Sequence, residues 1–279
     1  MGNGDPVEIS IMLTIRSQRW RERRARYVDD LTVINPRDFA VNQLAPSQAR
    51  RFVAAHHYLP NYPAAQVAVG LFGKQAALVG VAVFAMPSTG SVITRHTGFE
   101  DPARGTTLAR FFLLPEVAGN GETWFLSRAL RLLRQERPGI EAVVSYSDPQ
   151  AGHIGQCYAA LSGAYRGRTE PRTAYRIDGV PISGRTLSKI RLGERGAAGA
   201  IDQLVSLGAP RPGTAEEPGV WLARLRRDRI LVAERTLGLF AYCFELTHAA
   251  RLQGRALPRR PYPKQLPPAH PQFPFMDAA

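Results

Sequence analysis

Between Ser145 and Tyr158 the sequence reads Ser-Tyr-Ser-Asp-Pro-Gln-Ala-Gly-His-Ile-Gly-Gln-Cys-Tyr. Asp148 can accept a proton or orient His153. Ser145, Tyr146 and Tyr158 add hydroxyls, and the tyrosine rings can stack on a planar substrate. Each residue also has a plainer reading. Asp148 before Pro149 fits an Asx turn or cap, His153 fits a structural hydrogen-bonding role, and Cys157 fits a buried thiol. Their concentration in one stretch favours a site. His56-His57-Tyr58 is a second signal, because one imidazole can serve as base or metal ligand. Brought together, either His56 or His57 with His153 and Asp148 would form a two-histidine, one-carboxylate set of the kind that holds iron. Asn120-Gly121-Glu122-Thr123 is a third signal. A helix starting there would point unpaired N–H groups at a phosphate, with Arg110 and Arg128 able to contribute. An ordinary cap explains the same residues.

Several chemistries fail on context. Ser145 is outside any Gly-x-Ser-x-Gly turn. The zinc-deaminase pattern is absent, as is a Gly-rich dinucleotide turn. Cys157 and Cys243 are the only cysteines, so two reduced thiols are expected rather than a disulfide framework.

Charge points to a polyanion. The 279 residues carry a formal net charge of +13. Of 36 basic residues only Lys74, Lys189 and Lys264 are lysine. Arginine presents a planar fork of donors that suits phosphate. One cluster, Arg16 to Arg26, includes Arg21, Arg23 and Arg24. A second includes Arg226 and Arg227. Both are expected to hold a nucleic-acid backbone, with Tyr158 as a stacking ring. A GC-rich genome gives the same composition. No apolar run reaches the roughly 18 residues of a spanning helix, and no signal peptide opens the chain, so a cytoplasmic protein without membrane contact is expected.

These residues need elements to place them. The pattern predicts a helix from Pro46 to His56-His57, a constrained loop over 58–63, and a hairpin of Val67–Leu71 with Ala77–Met86. Pro87–Gly105 reads as a polar loop, a lid or substrate mouth. A strand over Thr107–Leu114, a helix from Asn120 to Pro138-Gly139 and a strand over Ala142–Tyr146 make a parallel crossover unit. The chemistry-bearing loop then lies at a strand's C-terminal end, a common ligand site. A helix over His153–Leu161, a strand over Ala174–Ile177 and a last strand over Gly238–Leu246 follow. Glu194–Gly219 reads as a peripheral insertion, and Leu257–Ala279 as a Pro-rich tail. Short strands are also expected over Ser10–Ile15 and Leu31–Ile34.

The stretch from Ser145 to Ala160 resembles the central motif of the Mom family of phage DNA-modification proteins. That pattern is a Ser-Tyr-Ala-Asp, a Gly-His-x-Gly and a Tyr-x-Ala. Here Ser147 stands for the usual alanine, and Cys157 takes a position that is often apolar. His56-His57-Tyr58-Leu59-Pro60, Leu78–Phe84, Leu108-Ala109-Arg110, Tyr165 with Gly167, and Pro261-Tyr262-Pro263-Lys264 extend the likeness. It covers roughly 44–192, with a looser continuation to 264.

The resemblance implies an α/β (α+β) fold like the GCN5-related N-acyltransferases: a mixed, mostly antiparallel central sheet flanked by helices. It divides the chain into a basic extension (1–43), an acyltransferase-like catalytic core (44–192), a peripheral helix–loop region with the last strand (193–256) and a tail (257–279). It implies an enzyme of the infected bacterial cytoplasm, working on double-stranded DNA, alone or as a homodimer. The reaction would place a carbamoylmethyl-type group on adenine N6 and mask sites from host restriction. Asp148 and His153 become the leading catalytic candidates, with Ser145, Tyr146 and His57 nearby. Asn120, Gly121, Thr123 and Arg110 become cofactor contacts. The donor stays open, with acyl-CoA and iron both candidate cofactors. The competing readings are an N-acyltransferase for a protein or small amine, and a DNA-binding phage protein without catalysis.

Overall fold

The computed structural model describes residues 32–59 and 61–267. In chain order the elements are β1 (Ala40–Gln43), α1 (Pro46–His56), β2 (Ala65–Phe72), β3 (Leu78–Ala85), α2 (Ser91–Thr97), β4 (Gly105–Leu113), α3 (Gly121–Glu136), β5 (Ala142–Ser147), α4 (Gln156–Ala160) and β6 (Ala164–Arg168). Then come β7 (Thr173–Ile177), β8 (Val180–Ile182), α5 (Gly184–Arg191), α6 (Ala197–Ser206), α7 (Pro218–Arg227), β9 (Val232–Arg235), β10 (Phe240–Glu245) and α8 (His248–Gly254). The short strand expected over Ser10–Ile15 lies outside the described residues.

The described chain forms two compact units. The first spans 32–169 and 239–266; the second is built from 170–238. In the first unit seven strands run in the order β1-β2-β3-β4-β5-β10-β6. Every neighbouring pair is antiparallel except β4 with β5, which is parallel. This is the expected mixed, mostly antiparallel sheet flanked by helices.

Strand β3 is a continuous apolar run because both its faces are covered. Ala82 and Phe84 face the cluster that holds α3, whereas Val81 and Val83 face Phe52 and Val53 of α1. Helix α3 contributes Phe125, Leu126, Ala129, Leu130 and Leu133, one apolar stripe at helical spacing. Ala142 and Val144 pack on the other face of β5, against Ile93 of α2.

Two local expectations change. Pro87–Gly105 is not an open lid, because it contains α2, whose Ile93, His96 and Thr97 are buried. The sequence hides it because seven residues with Val92, Ile93 and Thr94 together look unhelical. The helix expected over His153–Leu161 shortens to Gln156–Ala160, since Gly152 and Gly155 both take positive φ.

The second unit has its own core around the fully buried Trp221, with Ile190, Leu204 and Leu225. Its sheet runs β8-β7-β9. Glu194–Gly219, read as a peripheral insertion, supplies part of that core through α6.

Candidate functional site

Strands β4 and β5 pair only over Gly105–Leu108 and Ala142–Ser145. Beyond that point β4 continues against β3, and β5 continues against β10. The β3–β4 register shifts between Val83 and Phe84, which leaves Ala109 as an extra residue beside Arg110. The parallel pair therefore parts where the chemistry-bearing residues lie.

The loop after α1 reaches this place. His57 caps α1, and its Nδ1 accepts the Leu59 N–H at 2.9 Å. That bond puts the ring proton on Nε2. Arg110 secures the same loop. Its guanidinium donates to Leu59 O at 3.2 Å, to Asn61 O at 2.8 Å and to Asn61 Oδ1 at 2.7 Å. Tyr58 is thereby held with its ring 4.7 Å from His57 and 6.4 Å from His153. Its phenol feels the charges of both Asp148 and Arg110.

After β5, Asp148 accepts the Gln150 N–H at 2.9 Å, and the His153 N–H donates to Asp148 O at 3.0 Å. Asp148 is thus a cap as well as a member of the cluster. The Tyr242 hydroxyl donates to Ile154 O, tying the loop to β10.

Burial dominates the electrostatics. Desolvation, with Arg110 and His153 adding to it, lowers His57 to about 3. Burial lowers His153 to about 4. Both imidazoles are neutral at pH 7. Burial and the Asp148 charge raise Tyr58, which stays a neutral donor. Cys157 and Cys243 are free thiols, and burial pushes both up to about 12, so neither is a thiolate nucleophile.

The structure sets His57, His153 and Asp148 around Tyr58, with Arg110 beside His57 and Tyr58, without gathering the three into a set that holds a metal ion. Tyr58 is the member that residue spacing alone left unassigned; its place next to His57 was the available signal. Ser145 and Ser147 are buried on one face of β5, with Ser145 adjoining the Tyr158 phenol. Among the described residues neither serine makes a hydrogen bond of good geometry. Tyr146 lies on the opposite face, edge-on to His96 at 5.9 Å.

Other expected groupings do not form. Among the described residues no three His, Cys, Asp or Glu side chains gather to hold a metal ion. The set His56, His57, His153 and Asp148 is therefore not assembled. Neighbouring residues at a helix end diverge. His56 stacks on Phe112 and feels Glu116, whereas His57 turns toward Arg110 and His153.

Arg110 is committed to the Leu59–Asn61 loop and does not join Asn120, Gly121 and Thr123. Those three open α3 without a side-chain cap, Asn120 having a φ of 62°. Thr123 Oγ1 donates back to Asn120 O at 3.0 Å. An uncapped helix start fits a phosphate-bearing group, although Glu122 sets a carboxylate in the same turn.

Tyr158 is a core residue, 8% exposed, with its ring edge-on to Tyr242 and Phe244. It offers DNA no stacking face. Arg226 and Arg227 are exposed on α7, and Arg227 pairs with Asp228 at 3.0 Å. Arg21, Arg23 and Arg24 lie outside the described residues. No helix among those residues is long and apolar enough to cross a membrane.

No curated protein matches the chain. Among solved structures it is similar to a GNAT-family N-acetyltransferase from Escherichia coli in complex with CoA. The identity is 14%, with a TM-score of 0.32 over 45% of this chain and 68% of that one. A spermidine N-acetyltransferase from Vibrio cholerae gives 12% identity and a TM-score of 0.33 over 47% and 82%. A malonyl-CoA decarboxylase from Rhodopseudomonas palustris gives 10% and 0.34 over 84% and 60%. The model of the Mom protein family matches residues 38–264, which take in both compact units, so this chain belongs to the Mom family.

Proposed function

We propose that the protein modifies adenine at N6 in double-stranded DNA, adding a carbamoylmethyl-type group that protects phage DNA from host restriction. Membership of the Mom family supports the coarser part, a DNA-modifying activity of transferase type. The observation that carries the finer part is the meeting of Tyr58, Asp148, His153 and Arg110 where β4 and β5 separate. A paired adenine must leave the stack to reach such a place.

In this reading N6 bonds to the donor's methylene carbon as the donor's leaving group departs with its bonding pair, and Asp148 takes the proton that N6 loses. Tyr58, held as a neutral phenol, donates a hydrogen bond beside it. His57 and His153, both neutral, present polar ring edges without adding positive charge. Arg110 positions Tyr58 by fixing the loop. The start of α3 without a side-chain cap, Asn120 to Thr123, supports a donor that carries phosphate. Because a carbamoylmethyl group joins N6 through its CH2, simple acyl transfer from CoA, which leaves an N6 amide, does not supply it.

The test is nucleoside mass spectrometry on DNA from cells expressing the full chain or Asp148→Asn. Asparagine keeps an oxygen for the Gln150 N–H but has no basic carboxylate. The intact chain should yield a new modified deoxyadenosine, and the variant roughly 100-fold less or lower. Equal modification by the variant would remove Asp148 as the base. Unmodified DNA together with acyl transfer to a small amine by the purified protein would instead favour an N-acyltransferase.

A further inference from the structure

A groove of about 440 Å³ runs between α3 and the segment leading into β1. Arg37 stands on one wall; Arg128 and Arg131 stand on the other, three residues apart on one helix face. Phe39, Trp124 and Leu132 give it an apolar floor, and among the described residues no acidic side chain lines it. The Arg128 guanidinium carbon sits over the Trp124 ring, 3.8 Å from its centroid. Among the described residues the guanidinium groups of Arg37 and Arg131 make no hydrogen bond or ion pair. Arg134, on the next turn, behaves differently, since it donates to Pro138 O and Ile140 O at 3.2 Å each. Arg37 and Arg131, without partners among the described residues, stand on the two walls of a concavity over an aromatic floor, which differs from a merely solvated charged face.

We propose that this groove seats the sugar-phosphate backbone of duplex DNA. The proposal rests on the DNA-modifying reading above and adds the surface that holds the substrate. Phosphates would meet the three guanidinium forks, and deoxyribose would lie against Trp124 and Phe39. Neighbouring Cβ atoms on such a helix face are roughly 5–6 Å apart, so Arg128 and Arg131 serve successive backbone positions.

The groove borders β1, in the same compact unit as the site. The chain enters the groove region at Thr32–Ile34, which bridges Gly119. The sequence shortly before it carries six arginines between positions 16 and 26.

The test is duplex binding by the full chain over a salt series. It compares the intact protein with Arg37→Gln/Arg128→Gln/Arg131→Gln and with Arg37→Gln/Arg131→Gln, which spares the Trp124 stack. The slope of log affinity against log salt should flatten by about 3 and about 2 respectively, near 1 per arginine. Unchanged slopes in both variants, with the intact chain binding, would overturn the groove and leave the DNA reading standing. A complete lack of duplex binding by the intact chain would overturn the DNA reading and the groove with it. Slopes kept on DNA but binding lost to poly-glutamate would give the groove to an acidic protein segment and overturn the proposal.

Discussion

Gly155 adopts a φ of +80°, and a Cβ built there would lie 2.4 Å from the Tyr242 ring. Two separate constraints therefore demand glycine where the His153 loop turns into α4. A left-handed non-glycine residue costs roughly 1–3 kcal/mol, and overpacking a tight contact costs a similar amount. Gly155→Ala should lower the urea midpoint and reduce DNA modification together, because Tyr242 anchors Ile154 in the same loop. Gly139→Ala, with nothing within 4 Å of the new methyl, is the control and should stay within about 0.5 kcal/mol. Equal stability of the two variants would show that the loop yields easily. The same scale explains why Asp148 had two plausible readings. It caps the turn after β5 and lies in the cluster, so both readings that the local sequence offers hold at once.

Arg166 on β6 and Glu245 on β10 form a largely buried ion pair of 2.6 Å, with side chains 4% and 15% exposed. The same guanidinium donates to His96 O, Gly254 O, Leu257 O and Pro258 O. One side chain thus ties β6 and β10 to the ends of α2 and α8. Gly254 must stay glycine, since a Cβ there would stand 1.9 Å from Glu245 Oε1. Removing one partner of a buried pair leaves the other charge unsatisfied, at about 3–5 kcal/mol. Arg166→Met should destabilise by that amount in chemical denaturation. Arg166→Met/Glu245→Leu should recover part of the loss. A double variant as unstable as the single would mean that the orphaned carbonyls, not the Glu245 charge, set the cost.

His57, His96 and His153 are all neutral in the folded chain, burial lowering them to about 3, 4 and 4. In an unfolded chain each titrates near 6.5. Above that pH both states hold the neutral ring, and the contribution to stability is complete. Below it the unfolded chain takes protons that the folded chain refuses, so stability falls as pH drops toward the folded values. Between pH 6.5 and 5, above the carboxylate range, each histidine should add up to about 1.4 kcal/mol per pH unit to the slope. Denaturation midpoints of the full chain should be level from pH 8 to 7 and fall below 6.5. His96→Gln should lessen the slope, being outside the catalytic cluster. A flat profile to pH 5 would show that these rings are hydrated.

By itself the sequence determined the chemistry-bearing stretch 145–158, the strong elements β2, β3, β4, α3 and β5, and the family, because each is written in local spacing. Apolar period marks a strand or helix wherever one face is buried, and the Ser-Tyr-Ser-Asp…Gly-His motif is contiguous. Tertiary structure decided the rest. β10 enters the sheet between β5 and β6 only after the whole of 170–238, which closes as a separate unit. Tyr158 and Tyr146 look alike in sequence, but strand and helix direction send one into the core and the other to the opposite face. His56 and His57 are adjacent, and only the turn after α1 selects His57 for the site. Residue type fixes which groups can carry protons or charge; burial and long-range pairing fix which of them meet.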